Sequence, residues 1–187
     1  MDKLIVISAP SGSGKTSIVN YLLNTIPSLA FSISACSRKR RNNEINGKDY
    51  YFLGLEEFKS KINSGDFLEW EEVYTNQYYG TLNSELNRIW KEGKTAIFDV
   101  DVDGGLKIKN LYLENCLSIF IMPPSIEILK QRLELRGSDS QESINMRIDK
   151  AKEEIKKNNS FDLIILNDNF DIACNEAVNA IVKFIKF

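Results

Sequence analysis

Short apolar runs alternate along the chain with longer segments in which apolar positions recur every three or four residues. The runs contain few polar residues and predict strands buried on both faces; they are Leu4 to Ser8, Ala96 to Val100, Leu117 to Ile121 and Leu163 to Leu166. The amphipathic segments predict helices over Lys15 to Asn24, Ser84 to Glu92, Ser125 to Arg136, Ser140 to Asn158 and Asp171 to Lys186. This alternation predicts an α/β fold with a parallel sheet covered by helices on both faces.

Two stretches depart from this rhythm. Residues 34–81 are rich in Tyr, Glu and Arg, with short alternating segments such as Phe67 to Tyr74, and predict an inserted antiparallel lobe. Residues 137–157 are polar and charged and predict an exposed helical excursion. Since the chain shows no internal repeat and no linker, we expect residues 1–187 to form one domain.

Composition limits the possible chemistry. The chain contains no histidine, which excludes Ser-His-Asp and Cys-His catalysis and the usual zinc spacings. With 24 basic and 26 acidic residues the net charge is −2, so a phosphate site must be a local concentration of positive charge. We expect no signal peptide, since Met1 to Lys3 lead directly into a short apolar strand, and no apolar run in the sequence is long enough to span a bilayer. We expect a cytoplasmic protein without nucleic-acid or membrane partners.

The segment between the first strand and the first helix has the pattern of a phosphate-binding loop. It reads Ala9-Pro10-Ser11-Gly12-Ser13-Gly14-Lys15-Thr16, with alanine where the usual G-x-x-x-x-G-K-[ST] pattern begins with glycine. Its glycines allow backbone N–H groups to approach phosphate oxygens, and the following helix adds its positive dipole end. Lys15 would bridge the β- and γ-phosphates, and the Thr16 hydroxyl would bind Mg²⁺. We expect Ala9 to Ser17 to bind a nucleoside triphosphate; the alternative is a turn that only joins strand and helix.

A second set of residues begins with the basic run Arg38 to Arg41 and extends over essentially the whole chain. It comprises Ser34 to Arg38, Arg41, Glu44, Asn46 to Phe52, Phe67 to Trp70, Tyr78 to Thr81, Asp99 to Asp101, Pro123 to Ser125, Arg132, Arg136-Gly137, Arg147 and Asn167-Asp168. In content and order this set resembles guanylate kinases. The resemblance implies a P-loop kinase core with a five-stranded parallel sheet (1–33, 84–125 and 159–187), a GMP-binding lobe (34–83) and a helical lid (126–158). It implies Mg²⁺-dependent transfer of the γ-phosphoryl of ATP to GMP, and to dGMP, in purine metabolism.

The resemblance places the GMP phosphate among basic and hydroxyl groups of the lobe. Arg38 and Arg41 would donate bidentate hydrogen bonds to the phosphate oxygens, and Arg38 would also be catalytic. Tyr50 and Tyr79 would donate their hydroxyls to the same phosphate. The alternatives are a solvated basic face for the arginines and simple packing for the tyrosines.

The resemblance also implies how guanine is selected. The Glu69 carboxylate would accept two parallel hydrogen bonds from N1–H and the 2-amino group, which adenine cannot donate. Ser34 and Thr81 would serve the O6 and N7 side, and Asp101 would contact the base from its strand end. The alternative for Glu69 is an ordinary surface glutamate on an exposed strand face.

Catalytic charge is implied at the strand end and in the lid. Asp99 would hold the water shell of Mg²⁺ at the carboxyl edge of the sheet, or else cap the strand end. The lid arginines would stabilise the transferring group together with Lys15, or else lie on a solvated helix; they are Arg132, Arg136 and Arg147. Arg136 would also stack on adenine. Asn167 and Asp168, after the last core strand, would read adenine.

Two other functions stay open from the residues alone. A P-loop kinase acting on a ribose bisphosphate would keep Lys15 and the lid but would not need the guanine set. A scaffold module of guanylate-kinase type would have lost catalysis and, with it, a working phosphate loop. Lys15 and Thr16 are intact here, which favours an enzyme.

Cys36 is one of three cysteines and lies two residues before Arg38. Positive charge would favour its thiolate if the side chain were accessible, so thiol reagents would then inhibit the protein and GMP would slow them. The alternative is a buried, inert thiol. The sequence leaves both open.

Overall fold

The computed structural model describes residues 3–135 and 140–186. Along these ranges the helices and strands are β1 Leu4–Ser8, α1 Lys15–Thr25, β2 Leu29–Phe31, β3 Ala35–Cys36, β4 Tyr51–Phe52, α2 Leu55–Asn63, β5 Phe67–Tyr74, β6 Gln77–Leu82, α3 Asn83–Lys91, β7 Thr95–Asp99, α4 Val102–Tyr112, β8 Cys116–Met122, α5 Ile126–Leu135, α6 Gln141–Lys156, β9 Leu163–Leu166 and α7 Phe170–Lys186. No helix in this part of the chain combines the length and apolarity needed to cross a membrane.

The larger sheet has five strands in the order β2-β7-β1-β8-β9, and every pair is parallel. The predicted α/β fold with a five-stranded parallel sheet is therefore confirmed. Four of these strands are the apolar runs of the sequence. The fifth, β2, has only three residues and lies at one edge.

Helices cover both faces of this sheet, which explains why β1 is buried along its whole length. Ile5 and Ile7 point toward α1 and α7, while Leu4 and Val6 point toward α3 and α4. Successive strand residues face opposite sides, so a strand with two covered faces needs apolar residues at every position. The helices therefore hold the sheet from both sides. The polar residues that end its strands, such as Ser8 and Asp99, lie along its carboxyl edge.

The inserted lobe is built on a second sheet in the order β4-β3-β6-β5. Its β3–β6 and β5–β6 pairs are antiparallel, as predicted, but β3 and β4 are parallel. The expectation of an antiparallel lobe is corrected at that pair, because the long connection between Cys36 and Tyr51 returns the chain in the same direction. Helix α2 covers the lobe, and its Phe58 ring stacks on Phe67 with centroids 4.3 Å apart.

Helices α5 and α6 form a separate pair beside the core. They pack through buried apolar side chains, namely Leu129, Leu133, Ile144, Ile148 and Ala151. Ser140 caps α6 by accepting a hydrogen bond from the Ser143 backbone N–H. A Cβ built on Gly12 would lie 3.2 Å from Leu129, so α5 packs directly against the phosphate loop.

Candidate active site

The predicted phosphate loop connects β1 to α1 and contains two residues in the left-handed backbone region. Gly12 has φ 93° and Gly14 has φ 90°, values that residues other than glycine rarely adopt. The Asn167 amide donates to the Ser13 carbonyl at 2.7 Å, and a Cβ on Gly14 would collide with that amide. Asn167, which directly follows β9, therefore holds the phosphate loop in its conformation.

Lys15, Thr16 and Asp99 lie together where β7 ends. The Lys15 ammonium pairs with the Asp99 carboxylate and donates to the Val100 carbonyl at 2.8 Å. The Thr16 hydroxyl donates to Asp99 Oδ2 at 3.0 Å. The structure thus brings together the predicted catalytic lysine and the two predicted magnesium-site oxygens.

A cavity of about 300 Å³ opens above the phosphate loop. Arg147, Lys150 and Glu154 line its far wall from one face of α6, at a spacing of three and four residues. Glu154 is almost fully buried, which raises the pKa of its carboxyl. Sequence reasoning selected Arg147 but missed Lys150 and Glu154, although the helical spacing from Arg147 could have indicated both.

The described lid arginines contact the loop and the segment that supports it. Arg147 donates to the Ser11 hydroxyl at 2.9 Å, and Arg132 donates to the Asn167 carbonyl at 3.0 Å. Arg136 lies outside the described residues. A second cavity, of about 410 Å³, contains the residues predicted for adenine and is lined by Arg132, Leu135, Asn167, Asp168 and Phe170.

Arg38 is held in a fixed orientation inside the lobe. Its guanidinium makes two hydrogen bonds to Glu44, at 2.7 and 2.6 Å, and its Nε donates to the Tyr79 hydroxyl at 3.2 Å. The hydrogen bonds from Arg38 lower the pKa of Glu44 to about 2. The Tyr50 ring lies against the same guanidinium, with its centroid 5.1 Å away. Three of the residues predicted for the GMP phosphate are therefore neighbours, and Glu44, which was given no role, orients one of them.

Arg41 differs from Arg38. Its side chain is exposed, and its backbone N–H donates to Glu44 Oε2 at 2.9 Å. The structure does not bring the Arg41 guanidinium into the group around Arg38.

Three of the four predicted guanine residues line another cavity of about 300 Å³, between the lobe and the core, which we call the base cavity. Ser34, Glu69 and Asp101 contribute to its walls, together with Tyr50 and Tyr79. Glu69 is only 9% exposed, and this burial raises the pKa of its carboxyl. The cavity therefore combines carboxylates and hydroxyls with apolar wall residues, as small-molecule sites commonly do.

The partners of Glu69 determine its orientation. The buried Thr81 hydroxyl, predicted to serve guanine O6 and N7, donates instead to Glu69 Oε1 at 2.9 Å. A Cβ on Gly104 would lie 3.3 Å from Glu69 Oε2, so the first turn of α4 approaches the carboxylate closely. Asp101 caps that helix by accepting from the Gly104 N–H at 2.8 Å. Thr81 therefore positions the Glu69 carboxylate.

Cys36 is fully buried in β3, and this burial raises the pKa of its thiol despite the nearby Arg38. The interpretation of a reactive thiolate is wrong, and the alternative of a buried thiol is confirmed.

We expect that a thiol reagent leaves Cys36 unmodified in the folded protein at neutral pH but labels it completely in urea. Mass spectrometry of the labelled peptides measures this. Fast stoichiometric labelling of Cys36 in folded protein would contradict the buried position.

The fold, the phosphate loop and the adjoining base cavity define a P-loop kinase that phosphorylates a nucleoside monophosphate. A sequence model of the family described as guanylate kinase matches residues 1–184. The chain belongs to the guanylate kinase family, whose members transfer a phosphoryl group from ATP to GMP. Family membership excludes the alternative of a ribose-bisphosphate kinase, and the intact Lys15 and Thr16 of the phosphate loop argue against a catalytically inactive module.

Individual relatives support the same family. The chain is 51% identical over 186 residues to the guanylate kinase of Porphyromonas gingivalis, covering 99% of both chains. It is 49% identical over 183 residues to that of Bacteroides thetaiotaomicron, covering 98% of this chain and 90% of the relative. The crystal structure of guanylate kinase from Anaplasma phagocytophilum aligns with a TM-score of 0.77 at 28% identity, covering 97% of this chain and 85% of that one. The similarity therefore extends over the whole length of the domain.

Proposed function

We propose that the phosphate-loop cavity and the base cavity hold the reacting ends of the two substrates of the ATP:GMP transfer and that dGMP is a second acceptor. The observation that carries this proposal is their shared wall: Asp99 and Asp101 line both the phosphate-loop cavity and the base cavity. Ligands in the two cavities would meet at the carboxyl end of β7, where open α/β sheets place their ligands. Acceptance of dGMP follows because none of the proposed contacts is directed at the ribose 2′-hydroxyl.

Phosphoryl transfer would proceed by alignment and charge stabilisation. Lys15 and the backbone N–H groups of its loop would hold the ATP phosphates, while Arg38 with Tyr50 and Tyr79 would hold the GMP phosphate. Arg132 and Arg147 would stabilise the transferring group from the lid at 126–158, and we propose that Arg136 joins them. Because Glu44 already orients the Arg38 guanidinium, little side-chain entropy would be lost when a phosphate binds there.

Guanine would be selected by Glu69. Thr81 holds one oxygen of this carboxylate, so that its remaining lone pairs can accept from N1–H and the 2-amino group. Ser34 would donate to O6, and Asp101 would accept from the other amino hydrogen. Adenine would place an unprotonated ring nitrogen against the carboxylate and leave a buried acceptor without a donor.

Mg²⁺ fits the residues at the end of β7. Thr16 and Asp99 offer a hydroxyl and a carboxylate, which are the hard oxygen donors that this cation prefers. Mg²⁺ keeps several waters when it binds with ATP, so these two protein groups suffice, Asp99 acting through water. When bound, the cation would neutralise charge on the β- and γ-phosphoryl oxygens.

We also propose that the protein is located in the cytoplasm and that it has no nucleic-acid or membrane partners.

An acceptor panel tests the proposal. In a coupled assay of ADP release, we expect rapid turnover with GMP and dGMP. For AMP, CMP and UMP, we expect kcat/KM values lower by roughly 10⁴-fold, since polar mismatch in a buried site rejects ligands this strongly. Chelation of Mg²⁺ should stop turnover. Comparable turnover of AMP would overturn the guanine assignment, whereas inactivity of dGMP alone would remove only the second acceptor.

A further inference from the structure

Glu71 lies in the base cavity but has no part in the proposed chemistry so far. It is two residues beyond Glu69 on β5, and it lines the cavity together with Glu69 and Asp101. Its Oε2 atom is buried, and no N–H or O–H group in the part of the chain that the structure describes donates to it. A buried acceptor without a donor destabilises the folded protein, so this oxygen requires an explanation.

The Asp101 carboxylate lines the same cavity and acts on Glu71 both by its charge and as a hydrogen-bonding neighbour. Two ionised carboxylates are both acceptors, and they can bond to each other only when one carries a proton. Asp101 Oδ1 already acts as an acceptor, from the Gly104 N–H. Burial, and then the neighbouring Asp101 charge, raises the pKa of Glu71. The proton therefore belongs on Glu71.

The charges around Glu71 come from four elements. Glu69 on the same strand, and Asp99 and Asp101 at the end of β7, are acidic and line the same cavity. Lys107 on α4 and Lys150 on α6 are basic and favour the ionised form, but both are exposed to solvent and outweighed. An ionised Glu71 would add one more negative charge where a phosphate-bearing ligand must enter.

We propose that Glu71 is a positioning residue that carries a proton when GMP binds, and that it donates this proton in a hydrogen bond that holds Asp101 toward the guanine amino group. This inference rests on the proposed guanine site. The protonated form binds GMP, so the KM for GMP should be low below the pKa of Glu71 and should rise as the pH increases through it. The KM for ATP should not follow this change.

The test is the KM for GMP and for ATP between about pH 5 and pH 9 in the parent, Glu71→Gln and Glu71→Ala. Glutamine keeps the shape and donates an N–H at every pH, as the protonated carboxyl does. We expect the parent KM for GMP to rise by on the order of tenfold. It should stay low throughout in Glu71→Gln and be raised throughout in Glu71→Ala. Glu72→Gln, on the exposed face of the same strand, is the matched control and should follow the parent.

The GMP phosphate itself titrates near about pH 6. This contribution is common to all the proteins, so the readout is the ratio of parent to Glu71→Gln at each pH. A constant ratio would overturn the proposal, as would equal KM values in Glu71→Gln and Glu71→Ala. Thermal melting confirms that each variant is folded. If Glu69→Gln also leaves GMP binding unchanged, the guanine site itself is wrong; if Glu69→Gln weakens it and the ratio is constant, only the role of Glu71 fails.

Discussion

Replacing Lys15 with alanine is expected to lower kcat by on the order of a thousandfold in a protein that still folds. The lysine lies at the end of the phosphate loop, paired with Asp99, and takes no part in the apolar core. In the reaction its charge would stabilise oxygens that become more negative in the transition state, and loss of one such donor has a cost of this size. The coupled assay of ADP release gives kcat, and thermal melting reports the fold.

A matched control is Lys94→Ala, which removes an exposed lysine whose carboxylate partner lies 4.0 Å away. It should leave both kcat and the melting temperature nearly unchanged, since such surface pairs contribute little. Near-normal kcat in folded Lys15→Ala would remove the phosphate-loop assignment. A loss of activity that accompanies unfolding of both variants would show instead that the assay measures stability.

The second large effect is expected in binding rather than in turnover. Glu69→Gln keeps the size of the side chain, and its amide oxygen can still accept from Thr81. Its amide nitrogen, however, would face the guanine donors with a donor. The KM for GMP should rise roughly 30- to 150-fold, which corresponds to about 2–3 kcal/mol for a charge-assisted hydrogen bond. The KM for ATP should change much less.

Inosine monophosphate separates the two hydrogen bonds, because it keeps N1–H and lacks the 2-amino group. It should be a poor substrate for the parent and should lose less than GMP in Glu69→Gln. Equal losses for both nucleotides would mean that Glu69 does not read the amino group. If neither nucleotide is affected, guanine is selected elsewhere, although the family assignment would stand.

The fold was predictable where burial leaves a complete pattern. β1, β7 and β8 are apolar at nearly every position because helices cover both faces of the sheet there. β9 is also apolar, although Ile164 and Leu166 are exposed at this edge of the sheet. The strand β2 was not predicted, because a strand of three residues is too short to show a hydrophobic pattern. Helix α4 was missed because Gly104 and Gly105 interrupt its apolar face, although Asp101 is an ordinary helix cap.

The site was predictable where one residue type has one chemistry. The Gly12 to Thr16 segment borders the phosphate-loop cavity, and Glu69 borders the base cavity, as their predicted roles require. The roles themselves stay predictions. Glu44 and Glu71 could not be assigned, because their importance comes from the groups they meet in three dimensions. One holds Arg38, and the other faces a carboxylate from a distant strand end. Pairings of this kind leave no period or spacing in the sequence.

The bond between Asn167 and the Ser13 carbonyl also has a consequence for synthesis on the ribosome. Its partners are 154 residues apart, so the phosphate loop cannot be completed until almost the entire chain has been made. At roughly 5–20 residues per second, the loop waits about 8 to 30 seconds for this residue. The central strand β1 likewise waits for β7 and β8, which arrive late. A nascent chain therefore lacks a sheet partner for its first apolar strand until β7 has been made, and its phosphate loop gains the Asn167 hydrogen bond only after β9.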